Sequence, residues 1–116
     1  MSRESEPVTG PMKNPPHPGR ALKGDFEALG LSIAEAAQAL GISRSQLHRV
    51  TRGENAISAE LALRLEVVIG STADAWLRLQ AAYDAAQVRQ RAGEITKGLK
   101  PITVPETPPA QQPRLV

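Results

Sequence analysis

Gly41 constrains this chain more than any other residue, because it separates two short stretches that each read as a helix with one apolar face. Ile33–Leu40 precede it, Arg44–Arg52 follow, and Gly41-Ile42-Ser43 forms the connection. Two short helices joined by three or four residues that include a glycine define a helix-turn-helix. The surrounding residues fit that geometry. Ala37, four positions before the glycine, is small enough to let the helices cross closely. Leu40 and Ile42 flank the glycine and point towards the core, while Leu47 and Val50, three apart, anchor the second helix by its inner face.

The same punctuation recurs along the chain and predicts an all-α, compact bundle of about five helices. Ser32-Ile33-Ala34-Glu35 is a capping box, in which the serine oxygen accepts from a backbone N–H and the glutamate reaches back. Ser43-Arg44-Ser45-Gln46 repeats it with glutamine as the return partner, and Ser71-Thr72-Ala73-Asp74 gives a further box. Ser58 caps a helix that opens Ala59-Glu60, with the acid at the positive end of the dipole. Gly41, Gly53 and Gly70 stand just past three helix ends. The first helix is expected from Pro18 to Leu29, with Leu22, Phe26 and Leu29 as one buried stripe. The fourth, Ala59 to Ile69, is apolar on nearly all sides, which predicts cover by its neighbours on one side and by a partner on another. The fifth runs to about Gln90 and carries Trp76, Leu79 and Tyr83 on one face as packing residues.

At 116 residues there is room for one domain. With one Trp, one Tyr and one Phe, its core must come from Leu, Ile, Val and Ala. Residues 1–16 hold four prolines and few apolar side chains and read as a disordered N-terminal arm. Residues 17–92 read as the helix-turn-helix domain with a C-terminal dimerisation helix. Residues 93–116, with Pro101, Pro105, Pro108, Pro109 and Pro113, read as a flexible tail. Cysteine is absent, and His17 and His48 lie far apart with no carboxylate cluster, so neither a metal nor a cofactor is expected. No cysteine nucleophile, Gly-rich phosphate loop or paired carboxylates suggest catalysis. The N-terminus lacks the apolar stretch of a signal peptide and no run is long enough to cross a bilayer, which predicts a cytoplasmic protein.

The formal net charge is only +2, so distribution matters more than total. No acid lies between Glu35 and Glu54, yet Arg44, His48, Arg49 and Arg52 do. With Leu47 and Val50 turned inwards, Arg44, Ser45, His48, Arg49 and Arg52 face outwards, and Ser43 stands at the helix start. These six are the candidate DNA-binding residues. Arginine makes bidentate contacts to guanine, Ser and His reach base edges or phosphates, and a reading helix enters the major groove by its N-terminal residues. Any amphipathic pair has a solvated polar face. The joint occurrence of Ala37, Gly41, Ile42, Leu47 and Val50 beside an acid-free basic face favours the DNA reading.

Several stretches resemble HigA-type antitoxins of bacterial toxin–antitoxin modules, within the phage-repressor-like (Cro/C1, XRE) helix-turn-helix class. They are His17-Pro18-Gly19, Leu31–Ala37, Arg52-Gly53, Ile57–Leu65, and Trp76–Gln80 with Tyr83-Asp84. The resemblance covers about residues 12–90, with Arg20 standing where most members carry an acid. It implies two roles: neutralising a HigB-like (RelE-like) ribonuclease toxin that cleaves messenger RNA, and repressing the protein's own operon. It also implies a homodimer built by the C-terminal helices on double-stranded operator DNA with inverted half-sites. By the same analogy, part of the toxin contact falls on His17 to Leu29. A stand-alone repressor without a toxin, or a protein-binding adaptor on the same fold, are the competing readings.

Overall fold

Five of the six helices begin where a side-chain acceptor meets a backbone N–H that the helix itself leaves unbonded. The computed structural model describes residues 14–105, and those residues form α1 (Pro18–Ala28), α2 (Ile33–Leu40), α3 (Arg44–Thr51), α4 (Ala59–Ile69), α5 (Ala73–Gln90) and the short α6 (Ala92–Ile95). His17 caps α1 through Nδ1, which accepts from the Gly19 N–H at 2.9 Å. At α2 the Ser32–Glu35 box closes in both directions, at 3.1 and 2.8 Å. At α3 the Ser43 hydroxyl accepts from the Gln46 N–H, but the Gln46 side chain makes no return bond. Ser58 caps α4.

The start of α5 corrects the expected register by one residue. Thr72, not Ser71, is the cap and accepts from the Ala75 N–H. The reason lies in α4: Glu66 Oε1 takes the Ala73 N–H at 2.8 Å, which fixes the first turn from the preceding helix.

The C-terminal ends explain a second difference. Leu29 is 58 % exposed and stands outside α1, so it is not part of the buried stripe. The chain closes there as a Schellman motif: the Leu31 N–H bonds to the Phe26 carbonyl and the Gly30 N–H to the Glu27 carbonyl. That turn brings Leu31 back onto the core in the place expected for Leu29.

Twelve buried residues make one core: Leu22 and Phe26 of α1; Ala36, Ala37 and Leu40 of α2; Leu47 and Val50 of α3; Ile57; Leu61, Ala62 and Leu65 of α4; and Trp76 of α5. Apart from Phe26 and Trp76 all are aliphatic, as the composition requires. α4 packs on α2 and α5, and α1 packs on α3 and α5, so the helix pair α2–α3 sits on a frame of the other three. The expected single face of Trp76, Leu79 and Tyr83 does not form. Trp76 is buried and Tyr83 half-buried, but Leu79 is 49 % exposed and Gln80 takes the inward position. On α5, steps of three and four residues from Trp76 fall on either side of the contact line. The polar residue is drawn in because the Ile57 N–H needs an acceptor.

The fourth helix is less enclosed than a core helix. Leu61, Ala62 and Leu65 are buried, whereas Leu63, Val67 and Val68 are exposed. α6, which the sequence did not mark, adds one turn beyond α5 and buries no residue. Residues 101–105 are not helical, while residues 1–13 of the expected arm and 106–116 of the expected tail lie outside the described residues. No helix among the described residues is long and apolar enough to cross a membrane.

Candidate nucleic-acid interface

The turn between α2 and α3 is a second Schellman motif. The Ile42 N–H bonds to the Ala37 carbonyl and the Gly41 N–H to the Gln38 carbonyl, at 3.1 and 3.2 Å. Gly41 has φ of 73°, a left-handed conformation that side-chain-bearing residues rarely adopt. This explains the offsets read from the sequence: Gly41 and Ile42 supply the N–H groups of the motif, and Ala37, with Gln38, supplies the carbonyls. Arg64, one turn into α4, completes it by donating to the Leu40 carbonyl at 2.9 Å and to Glu60 at 3.1 Å. The link spans 24 residues, so only the Glu60–Arg64 pair was visible as a helical spacing.

α3 is held by three buried residues. Leu47 and Val50 enter the core, and Thr51 bonds its own helix at the His48 carbonyl. The helix then closes through the Arg49 carbonyl, which accepts from the Glu54 and Asn55 N–H groups. Against this fixed inner side, Arg44, Ser45, His48, Arg49 and Arg52 are all exposed and line one open depression together with Glu54. Arg52 lies just past the helix as its C-terminal cap, one residue beyond the helical span. Arg49 Nη1 donates to Ser45 Oγ at 3.1 Å, one turn away, which holds the guanidinium over the middle of the face. Ser43 is exposed, but its hydroxyl is engaged in the cap. Gln46, absent from the candidates, is exposed beside them and lines a neighbouring polar depression with Ser58, Glu60 and Arg64.

One acid enters the face. Glu54 lies 3.7 Å from Arg52, and both side chains are exposed. A pair of that kind is worth about 0–1 kcal/mol and yields readily to a phosphate. The arrangement is therefore three guanidiniums, an imidazole and a hydroxyl on a rigid helix with little to neutralise them. Chemically it suits a polyanion with hydrogen-bonding edges.

Behind the cationic face of α3 the His-Pro-Gly stretch has a defined task. Gly19 packs so closely on the Val50 carbonyl that a Cβ there would overlap the oxygen. His17 is buried, with its ring edge-on to Tyr83 at 4.8 Å and against Gly53. Burial pushes the His17 imidazole below its ordinary value, opposed by the Asp84 carboxylate and by a hydrogen bond to the Asn55 backbone. Among the described residues no group of His, Asp and Glu side chains is placed to hold a metal.

The helix-turn-helix family model HTH_3 matches residues 22–76, from α1 to the first turn of α5. The chain is 43 % identical over 89 residues to virulence-associated protein A′ of Dichelobacter nodosus, covering 76 % of this chain and 77 % of that one. To antitoxin HigA-1 of Vibrio cholerae it is 31 % identical over 93 residues, with 79 % and 88 % covered. Among solved structures, Pseudomonas aeruginosa antitoxin HigA with the higBA promoter aligns with a TM-score of 0.71 at 28 % identity, over 78 % of this chain and all of that one. With its helix-turn-helix, its buried His-Pro-Gly start and this degree of similarity, the chain belongs to the HigA family of helix-turn-helix antitoxins.

Proposed function

We propose that this protein is an antitoxin that represses its own operon, binding a palindromic operator as a homodimer through α3 and neutralising a HigB-like, mRNA-cleaving toxin. The observation that carries the DNA half is the exposed cationic face of α3, with Arg44, Arg49 and Arg52 around Ser45 and His48. Its relative from Pseudomonas aeruginosa is known in complex with promoter DNA. Arg44 and Ser45, in the first turn, enter the major groove, Arg49 follows one turn deeper, and Arg52 reaches a phosphate by releasing Glu54. Ser43 contributes through its position at the helix N-terminus, where backbone N–H groups favour phosphate. The exposed Leu63, Val67 and Val68 of α4, with Leu79 of α5, supply an apolar surface for a second copy. A two-fold dimer then presents its reading helices about 34 Å apart, matching successive major grooves.

The toxin surface is assigned to the outer side of α1, where Arg20, Lys23, Asp25, Glu27 and Leu29 are exposed. Separability tests the two roles. R49A, or R44A with R52A, abolishes retention of the operator and lowers the salt slope of binding by about one unit per lost phosphate contact. The same variants still form a stable complex with the toxin encoded beside the gene when the two are co-expressed. Full operator affinity in both variants would overturn the assignment of α3, and failure of the wild type to retain any toxin would overturn the antitoxin role.

A further inference from the structure

The loop from Gly53 to Ser58 connects the reading helix to α4 without regular structure, so its backbone polar groups need partners from elsewhere. One comes from far along the chain. Gln80 of α5, only 6 % exposed, accepts the Ile57 N–H on Oε1 at 2.8 Å. Its Nε2 donates to Asp84 Oδ1 at 3.0 Å, so both ends of the amide are used. Ile57 is itself a core residue, which fixes the loop at that point from both backbone and side chain. At its other end the loop is bonded to α3, through the Glu54 and Asn55 N–H groups on the Arg49 carbonyl. A second tie runs beside the first: Tyr83 of α5 meets His17, which rests on Gly53, while Gly19 meets the Val50 carbonyl. The C-terminal end of α3 is therefore referenced to α5 at two places.

We propose that Gln80 is a positioning residue for operator recognition, setting the orientation of α3 relative to α5 and hence the separation of the two reading helices in the dimer. The proposal rests on the operator reading above. Its force comes from leverage. With half-sites about 34 Å apart, a rotation of about 5° at the dimer centre displaces each reading helix by about 1.5 Å, enough to misplace bidentate base contacts. Phosphate contacts made without sequence preference tolerate such a shift, because they depend on charge more than on register.

The test compares the gene's own promoter fragment with a scrambled duplex of equal length, at one salt concentration, for the full-length protein. Gln80→Met leaves the Ile57 N–H without an acceptor and is expected to lose about tenfold in operator affinity with scrambled-duplex affinity unchanged. Gln80→Glu sets a second carboxylate against Asp84 and gives a similar loss. Combining it with Asp84→Asn reverses the donor and acceptor of the pair, and affinity recovers to within about twofold of wild type. This swap keeps the Ile57 N–H and the bond between residues 80 and 84 satisfied, so it answers the question even where Gln80→Met does not fold. Wild-type operator affinity in Gln80→Met or Gln80→Glu would overturn the proposal. Equal losses on both duplexes in a Gln80 variant that keeps the wild-type circular-dichroism spectrum would do the same, as would a folded swap that fails to recover what Gln80→Glu lost. Wild-type protein that binds both duplexes alike would instead overturn the operator reading itself.

Discussion

Position 19 shows how little room the fold leaves behind α3. Gly19 lies in the first turn of α1, where alanine would ordinarily favour a helix, yet the Val50 carbonyl of α3 occupies the space a Cβ needs. Gly19→Ala is expected to destabilise by about 1–3 kcal/mol, read as a lower midpoint in urea unfolding. His17, two residues earlier, makes stability depend on pH. Its native value lies below the ordinary 6.5 because burial disfavours the charged ring. The unfolded chain therefore binds the proton more readily, and stability is fully present above about 6.5 and falls as pH drops through it towards the native value. An asparagine keeps a capping acceptor but does not titrate. Urea midpoints at pH 8 and pH 5.5 should thus lie closer together in His17→Asn than in wild type, and an unchanged difference would remove His17 as the cause.

At the scale of elements, the helix-turn-helix is assembled from capping groups more than from helix propensity. α2 and α3 have eight residues each, too short to stand alone in water. Ser32 and Glu35 close the start of α2, the Schellman turn and Arg64 close its end, and Ser43 begins α3. Ser43→Ala should cost about 1 kcal/mol, a fall in melting temperature of about 4–8 °C by circular dichroism. Ser32→Ala should match or exceed it, because it breaks a reciprocal box and not a single bond. A smaller loss at Ser32 would contradict the box as the stronger cap. The serine caps and the Schellman turn were legible because each depends on residues three to five apart, whereas the Arg64 bond, across 24 residues, was not. The one-residue shift at Thr72 was not, since its cause is Glu66 in the preceding helix.

For the molecule as a whole, α4 is inward-facing on one side and, among the described residues, exposed on the other. Val67 is 79 % exposed, so a charge there costs the monomer little, yet it would sit within the surface assigned to a second copy. Val67→Glu is therefore expected to shift the protein to monomer by sedimentation with little change in monomer stability, and to weaken operator binding by more than tenfold. A variant that stays dimeric would place the interface elsewhere.

Local rules let the amino-acid sequence determine the starts of α1 to α4, the turn at Gly41, the aliphatic core and the inward set of Leu47 and Val50. In each case the deciding partner lies within a helical turn, or the alternative would bury a charge. Tertiary structure alone decided that Gln80 is inside while Leu79 is outside, and that Arg64 serves the Leu40 carbonyl. These choices follow from backbone groups left unbonded by turns and loops, whose partners stand some twenty residues away. Spacing along the chain carries no record of such a meeting; only the packing of α4 and α5 behind the helix-turn-helix creates it.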